Sequence, residues 1–346
     1  MTDSAFLTAM PKVELHVHIE GALKPDDYFS LAHKNGARLP VATAEEWRDF
    51  YSFRDFNHFI EVYTTSAALL QSAADYHFII SRFFALQAAQ NIRYSEAFMS
   101  ATFMHNKDEA DALYDAIEAA LKAGRQQYGI EVRLIPDISR EVPEKQQAVA
   151  DFIIGGARRG IFIGAGLGGV EEKFPAGMFK DTFDRLRAEG LRIAVHAGES
   201  SGHQSVRGAV EILKAERIGH GLRLMEDPQL IALFRETQLP VEVSPTSNYR
   251  LKVVASDRPH PIRQMLDAGV NCSVNSDDPG MFSTSLSAEY HLLHEQGFTR
   301  AELWQLNRRS LDSSFLSAEE KAAFAREFDA WFSDQNRNAT ASPGLT

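Results

Sequence analysis

The sequence predicts an α/β fold of the (β/α)8 TIM-barrel type, with a helical insertion after the first strand and extra helices at the C-terminal end. Eight short β-branched or apolar runs carry this reading, at residues 13–19, 92–99, 132–138, 161–167, 191–197, 217–221, 240–244 and 270–275. Helix-like stretches separate most of them, and strand alternating with helix implies a parallel sheet with right-handed crossovers. The rival, an open doubly wound sheet, usually places a glycine-rich phosphate turn behind its first strand. No such turn follows residues 13–19.

Taken in order, the first run reads Val13-Glu14-Leu15-His16-Val17-His18-Ile19, which alternates as a strand does. The connection behind it, residues 24–91, is far longer than the rest and holds Trp47, Phe50, Tyr51, Phe53, Phe56, Phe59 and Tyr63. Helical patterns there predict a cap over the barrel mouth, although aromatics in such numbers also serve simply to pack extra helices together. Amphipathic stretches at 110–128, 145–159, 178–189, 205–215, 227–237 and 261–268 supply crossover helices. Residues 286–295, 300–311 and 318–334 read as closing helices, and 336–346 as a polar tail. The whole chain, 1–346, is read as one domain, a length that barrels routinely occupy.

Composition narrows the function classes. A formal charge of −11, with both signs interspersed, argues against a nucleic-acid groove or a polybasic membrane surface, and favours a small-molecule substrate. One cysteine, Cys272, excludes a disulfide framework and any cysteine-rich metal site, so a metal would rest on histidines and carboxylates. No basic leader or apolar run of about 18 residues is present, and a cytoplasmic location is expected.

In a parallel barrel the C-terminal strand ends surround the reaction chamber. His16 and His18, two apart on a strand, point to the same face and suit two ligands on one ion. His196 ends the fifth run, with Glu199 just beyond it, His220 ends the sixth, and Asp277-Asp278 follow the eighth. Each has an ordinary alternative, a packed histidine or a solvated turn before Pro279. Their recurrence at one end of one barrel is harder to dismiss. Three imidazoles and an aspartate form a ligand set typical of zinc with a position left for water. Bound there, water drops in pKa from about 15.7 toward about 7, which makes hydrolysis the natural chemistry. Two-metal barrel hydrolases carry a bridging carboxylated lysine at the end of the fourth strand. Here that end reads Gly166-Leu167-Gly168-Gly169, with Lys173 the nearest lysine, so a single zinc is expected.

These residues carry a family likeness. Residues 11–21, 196–199, 218–221, 244–248 and 275–279 resemble, in order and over nearly the whole chain, the motifs of the adenosine deaminase branch of the amidohydrolase superfamily. The resemblance implies that His16, His18, His196 and Asp277 hold zinc, and that His18 also borders the substrate. It further implies that Glu199 protonates purine N1 and passes the proton to the leaving amine. His220 would orient the nucleophile and stabilise its developing charge, Asp278 would meet N7, and the backbone of Gly169 would approach N3. Glu20 stands where the family meets the sugar. Many adenosine-selective members have Asp there and adenine-selective relatives commonly have Glu. Gly166 replaces an Asp of the best-known adenosine enzymes. Adenosine is placed first among the substrates, followed by adenine, 5′-modified adenosines and aminodeoxyfutalosine. A zinc hydrolase of amides or esters and a non-catalytic purine-binding protein are the alternatives from other classes.

Overall fold

The computed structural model describes residues 2–340 and forms one eight-stranded parallel sheet in sequential order. The strands are β1 (Lys12–His18), β2 (Ile92–Ser100), β3 (Glu131–Ser139), β4 (Gly164–Gly168), β5 (Arg192–Ala197), β6 (Arg217–His220), β7 (Val241–Val243) and β8 (Cys272–Val274). Each expected run overlaps one of them. β4 begins three residues later than expected, because Phe162 makes only an isolated bridge to Leu134 and the ladder to β3 starts at Asp137↔Gly166. β7 and β8 are only three residues long. Pro240 has no N–H for a ladder, and the chain beyond Val274 turns at once toward the barrel mouth.

Between β8 and β1 the barrel closes through the residues that follow β8. The side-chain oxygen of Asn275 accepts from the N–H groups of Leu15 (2.9 Å) and His16 (3.0 Å). Beyond it, Asp277 pairs with Val17 in a parallel bridge, its carbonyl accepting from His18 N at 2.8 Å and its N–H donating to His16 O at 3.0 Å. The closure therefore sets an aspartate beside two histidines.

Helices Ala110–Tyr128, Gln146–Arg158, Lys180–Ala188, His203–Glu211, Pro228–Thr237 and Ile262–Asp267 occupy the expected crossover stretches. The long connection folds as Pro25–Asn35, Ala44–Tyr51, Phe56–Ala68 and Ala73–Ala88. The last of these packs along Ala110–Tyr128 and serves as the barrel's first crossover helix. The aromatics divide between both expected uses. Trp47 stacks on Phe50 and packs against Tyr51, holding the inserted helices together, whereas Phe56, Phe59 and Tyr63 line the cavity at the mouth.

Helices Leu286–Glu295, Arg300–Ser313 and Ala318–Thr340 close the chain. The last runs through residues 336–340, which the sequence suggests as tail, since the first proline or glycine met is Pro343. The remainder of the expected tail, 341–346, lies outside the described residues. No helix among the described residues is long and apolar enough to cross a membrane.

One buried carboxyl ties a closing helix to the barrel. Glu289 accepts from Thr246 N at 2.9 Å and from the Thr284 hydroxyl, and burial pushes its pKa up to about 7. As pH rises from about 4.5 to 7 the unfolded chain ionises at this position before the folded one does. The stabilisation present in acid is therefore lost by neutrality. Glu289→Gln escapes this loss, so its stability relative to the wild type is expected to improve by up to about 3 kcal/mol between pH 5 and 8. Urea midpoints at the two pH values check it. A pH-independent difference would mean that the carboxyl titrates alike in both states.

Candidate active site

The site residues come from four strand ends, those of β1, β5, β6 and β8. β1 directs His16 and His18 into the lumen, and the β5–β6 register sets His196 against Gly219 and Ala197 against His220. A Cβ on Gly219 would lie 2.6 Å from the His16 ring, so only glycine leaves that ring its place. His220 (φ 61°) and Asp277 (φ 63°) both occupy the left-handed region, which is uncommon for such residues and costs about 1–3 kcal/mol each. In this way the barrel turns both side chains inward just as its strands end.

His18 Nε2 and His196 Nε2 face each other at 3.1 Å. Asp277 Oδ1 lies 3.4 Å from His16 Nε2 and 3.5 Å from His18 Nε2. Ligand atoms held about 2.0–2.1 Å from one zinc at tetrahedral angles stand about 3.3 Å apart, and these three separations match that spacing. His16 Nε2 is buried with no hydrogen-bond partner, as expected of a nitrogen reserved for a metal. By mutual reach within 4.8 Å, His16, His196, His220 and Asp277 form one set, and His18, Asp277 and Asp278 another. His18 Nε2 lies nearer to Asp277 than His220 Nε2 does, the latter being 4.0 Å from Asp277 and 3.7 Å from Glu199.

The charges respond to one another. Burial alone would lower the pKa of His16, but its contacts with Asp277 and Glu242 raise it to about 10. Burial, helped by the neighbouring imidazoles, lowers His18 to about 3, His196 well below its usual range and His220 to about 4. For Asp277 burial works upward, yet the His16 contact and the surrounding imidazoles hold it well below the usual carboxylate range. Glu199 and Asp278 go the other way. Burial raises both, with the Asp277 charge adding to the effect, so each is an acid able to stay neutral.

Supporting carboxylates complete the site, and sequence reasoning missed most of them. Glu242 takes the outer nitrogen of His16 at 2.8 Å and pairs with Arg217, which in turn pairs with Glu96, all fully buried. Glu171 accepts from the N–H groups of Gly198 (2.7 Å), Glu199 (2.9 Å) and Ser200 (2.9 Å), fixing the turn that presents Glu199. Asp137, at the end of β3, reaches within 3.8 Å of His18 Nδ1.

A cavity of about 270 Å³ opens above the cluster, bordered by His18, His196, Glu199, His220, Asp277 and Asp278. Ser139, Glu141, Gly168 and Gly169 also line it, Gly168 standing next to the His196 ring. Gly169 adopts φ 101°, and a Cβ there would lie 2.2 Å from Glu141 Oε2. The Glu141 carboxylate thus covers Gly169, held by Val170 N at 2.7 Å and the Ser139 hydroxyl at 2.5 Å. Glu20, expected where the family meets the sugar, lies next to the cavity lining. It is buried, its Oε1 accepting from Ser100 N at 2.9 Å, and Ser100 is the residue that lines the cavity.

Fold and site together define the class, a barrel hydrolase of the amidohydrolase superfamily with histidines and an aspartate gathered at the strand ends. The sequence profile described as adenosine deaminase matches residues 11–331. An adenine deaminase of Geotalea uraniireducens is 34% identical, the match covering 96% of this chain and 94% of the relative. The crystal structure of an adenine deaminase from Arthrobacter aurescens superposes with a TM-score of 0.88 at 32% identity, over 94% of this chain and 100% of that one. A zinc-bound amidohydrolase structure from Burkholderia ambifaria matches with a TM-score of 0.88 at 29% identity, over 98% and 95% of the two chains. The chain belongs to the adenosine deaminase family. Its activity is that of the family, the hydrolytic removal of the amino group from a 6-aminopurine, at a site where a buried His/Asp cluster could bind a metal.

Proposed function

We propose that the substrate is adenine and the product hypoxanthine, with His16, His18, His196 and Asp277 holding one zinc ion. This moves adenosine, placed first on the sequence, behind adenine. The observation that carries the choice is the Glu141 carboxylate lying over Gly169. With C6 at the metal cluster, N1 toward Glu199 and N7 toward Asp278, the N3–N9 edge of the ring comes to Gly169 and Glu141. A free base bears an N–H on that edge, which a carboxylate accepts. A nucleoside has a sugar in its place. Two further features support the reading: the relatives named adenine deaminase, and a cavity near the small end of the usual 300–1,000 Å³ range.

A bound zinc supplies Lewis acidity that makes water nucleophilic near neutral pH. The chain's own groups do the rest. Neutral Glu199 protonates N1, which draws electrons from C6; as a carboxylate it then takes the proton that the attacking water releases and delivers it to the departing amine. Asp278, kept neutral by burial, donates to N7. His220, with Nε2 3.7 Å from Glu199, orients the attacking water from the side. The aromatic wall of Phe56, Phe59 and Tyr63 covers the ring plane and excludes bulk water. A reducing cytoplasm suits the single free cysteine, buried Cys272.

The test is a panel of adenine, 9-methyladenine and adenosine assayed on metal-replete protein. Adenine is expected to exceed both others in kcat/KM by on the order of 100-fold or more, since a site built to accept an N–H discriminates strongly against its absence. Glu141→Gln is expected to narrow the gap by lowering the adenine value alone. Adenosine turned over as well as adenine would overturn the assignment.

A further inference from the structure

His220 can serve in two opposite ways, as a base with a bare Nε2 or as a donor with Nε2–H, and the choice is one of tautomer. Its neighbours settle that choice from a distance. His260, in the irregular stretch before helix Ile262–Asp267, is buried, and burial lowers its pKa to about 3, so its ring is neutral and carries one proton. The backbone N–H of Ile262 donates to His260 Nδ1 at 3.1 Å. A backbone N–H is a donor without alternative, so Nδ1 is the acceptor and the ring proton sits on Nε2. From there it donates to Asn248 Oδ1 at 3.0 Å. This fixes which way the Asn248 amide is turned, because the flipped amide would set donor against donor. The Asn248 Nδ2 group then faces His220 Nδ1 at 3.4 Å, a long contact but one that only a lone pair can satisfy.

We infer that the Ile262–His260–Asn248 relay holds His220 as its Nε2–H tautomer, making His220 a hydrogen-bond donor to the reacting oxygen and leaving Glu199 as the proton carrier. His260 and Asn248 are positioning residues that act through His220, and neither is needed to bind substrate. The assignment rests on the role given to His220 above. It explains why a buried histidine that borders no part of the cavity is tied so closely to the site. The order of the relay also has a physical logic. Each step passes on a donor direction that begins at a main-chain amide, which cannot rotate or titrate, so the tautomer is set by the fold.

Two readouts test it. In metal-replete protein labelled with ¹⁵N-histidine, and with His220 assigned by comparison with His220→Asn, the His220 resonances are expected to show a protonated Nε2 and a bare Nδ1 at pH 7. The reverse pattern would overturn the relay whatever the enzyme acts on. Kinetically, Asn248→Asp places an acceptor opposite Nδ1 and draws the proton there. It should therefore shift the His220 signature and lower kcat on the order of 100-fold or more, as wrong-tautomer histidines do in other enzymes, with metal content and KM little changed. His260→Phe should act in the same direction, and His260→Gln, which keeps an N–H donor, should recover most of the activity. An Asn248→Asp enzyme with unaltered His220 resonances and full kcat would refute the proposal. If no 6-aminopurine is turned over while the resonances read Nε2–H, the relay stands and the substrate assignment falls.

Discussion

Glu199→Gln is expected to retain zinc and to bind purines with near wild-type affinity while losing turnover by about 10²–10⁴, the usual worth of a positioned acid. Glutamine preserves the shape, and the backbone N–H still donates to Glu171, but its side chain has no acidic proton to give. Because burial, with Asp277 and Glu171 adding repulsion, raises the Glu199 pKa, the neutral acid persists toward neutral pH. The sign follows: activity that depends on protonated Glu199 is present below its raised pKa and declines as pH climbs through it. Purine absorbance assays across pH, paired with metal analysis, check both points. Wild-type turnover by a zinc-replete Glu199→Gln enzyme would remove the proton-carrier role.

His16→Ala and Asp277→Ala are expected to lose metal and activity together, metal falling from near-stoichiometric to trace levels. Each removes one of the four proposed ligands, and Asp277→Ala also removes the one carboxylate among them. Glu242→Gln offers the comparison. As the outer partner of His16 it should weaken metal binding by about 10–100-fold, less than either ligand. Chelator competition ranks the three variants. A His16→Ala protein that keeps stoichiometric zinc and full activity would remove His16 from the ligand set.

Much of the site was legible because strand ends in a barrel are few and their polar residues stand out against β-branched neighbours. His16, His18, His196, Glu199, His220, Asp277 and Asp278 all meet within one cavity or directly beneath it. Glu242 was harder to see. In Val241-Glu242-Val243 it reads as an ordinary alternating strand facing solvent, yet in a barrel that face is the lumen, where a carboxylate needs partners. That pattern was the signal available. Glu141 and Asp137 lie in a run whose meaning depends on the neighbouring strand, and His260 sits in an irregular segment with no periodicity to interpret. The boundaries of β4, β7 and β8 were blurred for a similar reason. Three to five residues are too few for pattern alone to mark where ladder pairing begins.

By itself the sequence determined the alternation of strand and helix, the barrel number and the identity of the groups at the strand ends, since these follow from local periodicity and residue chemistry. Only the tertiary structure decided which groups meet. Asn275 bonds to β1 across more than 250 residues of chain and brings Asp277 to His16 and His18, while Glu141 folds over Gly169 to line the cavity. Such contacts arise when the sheet closes on itself, and closure depends on the register of all eight strands at once, which no local stretch of residues encodes.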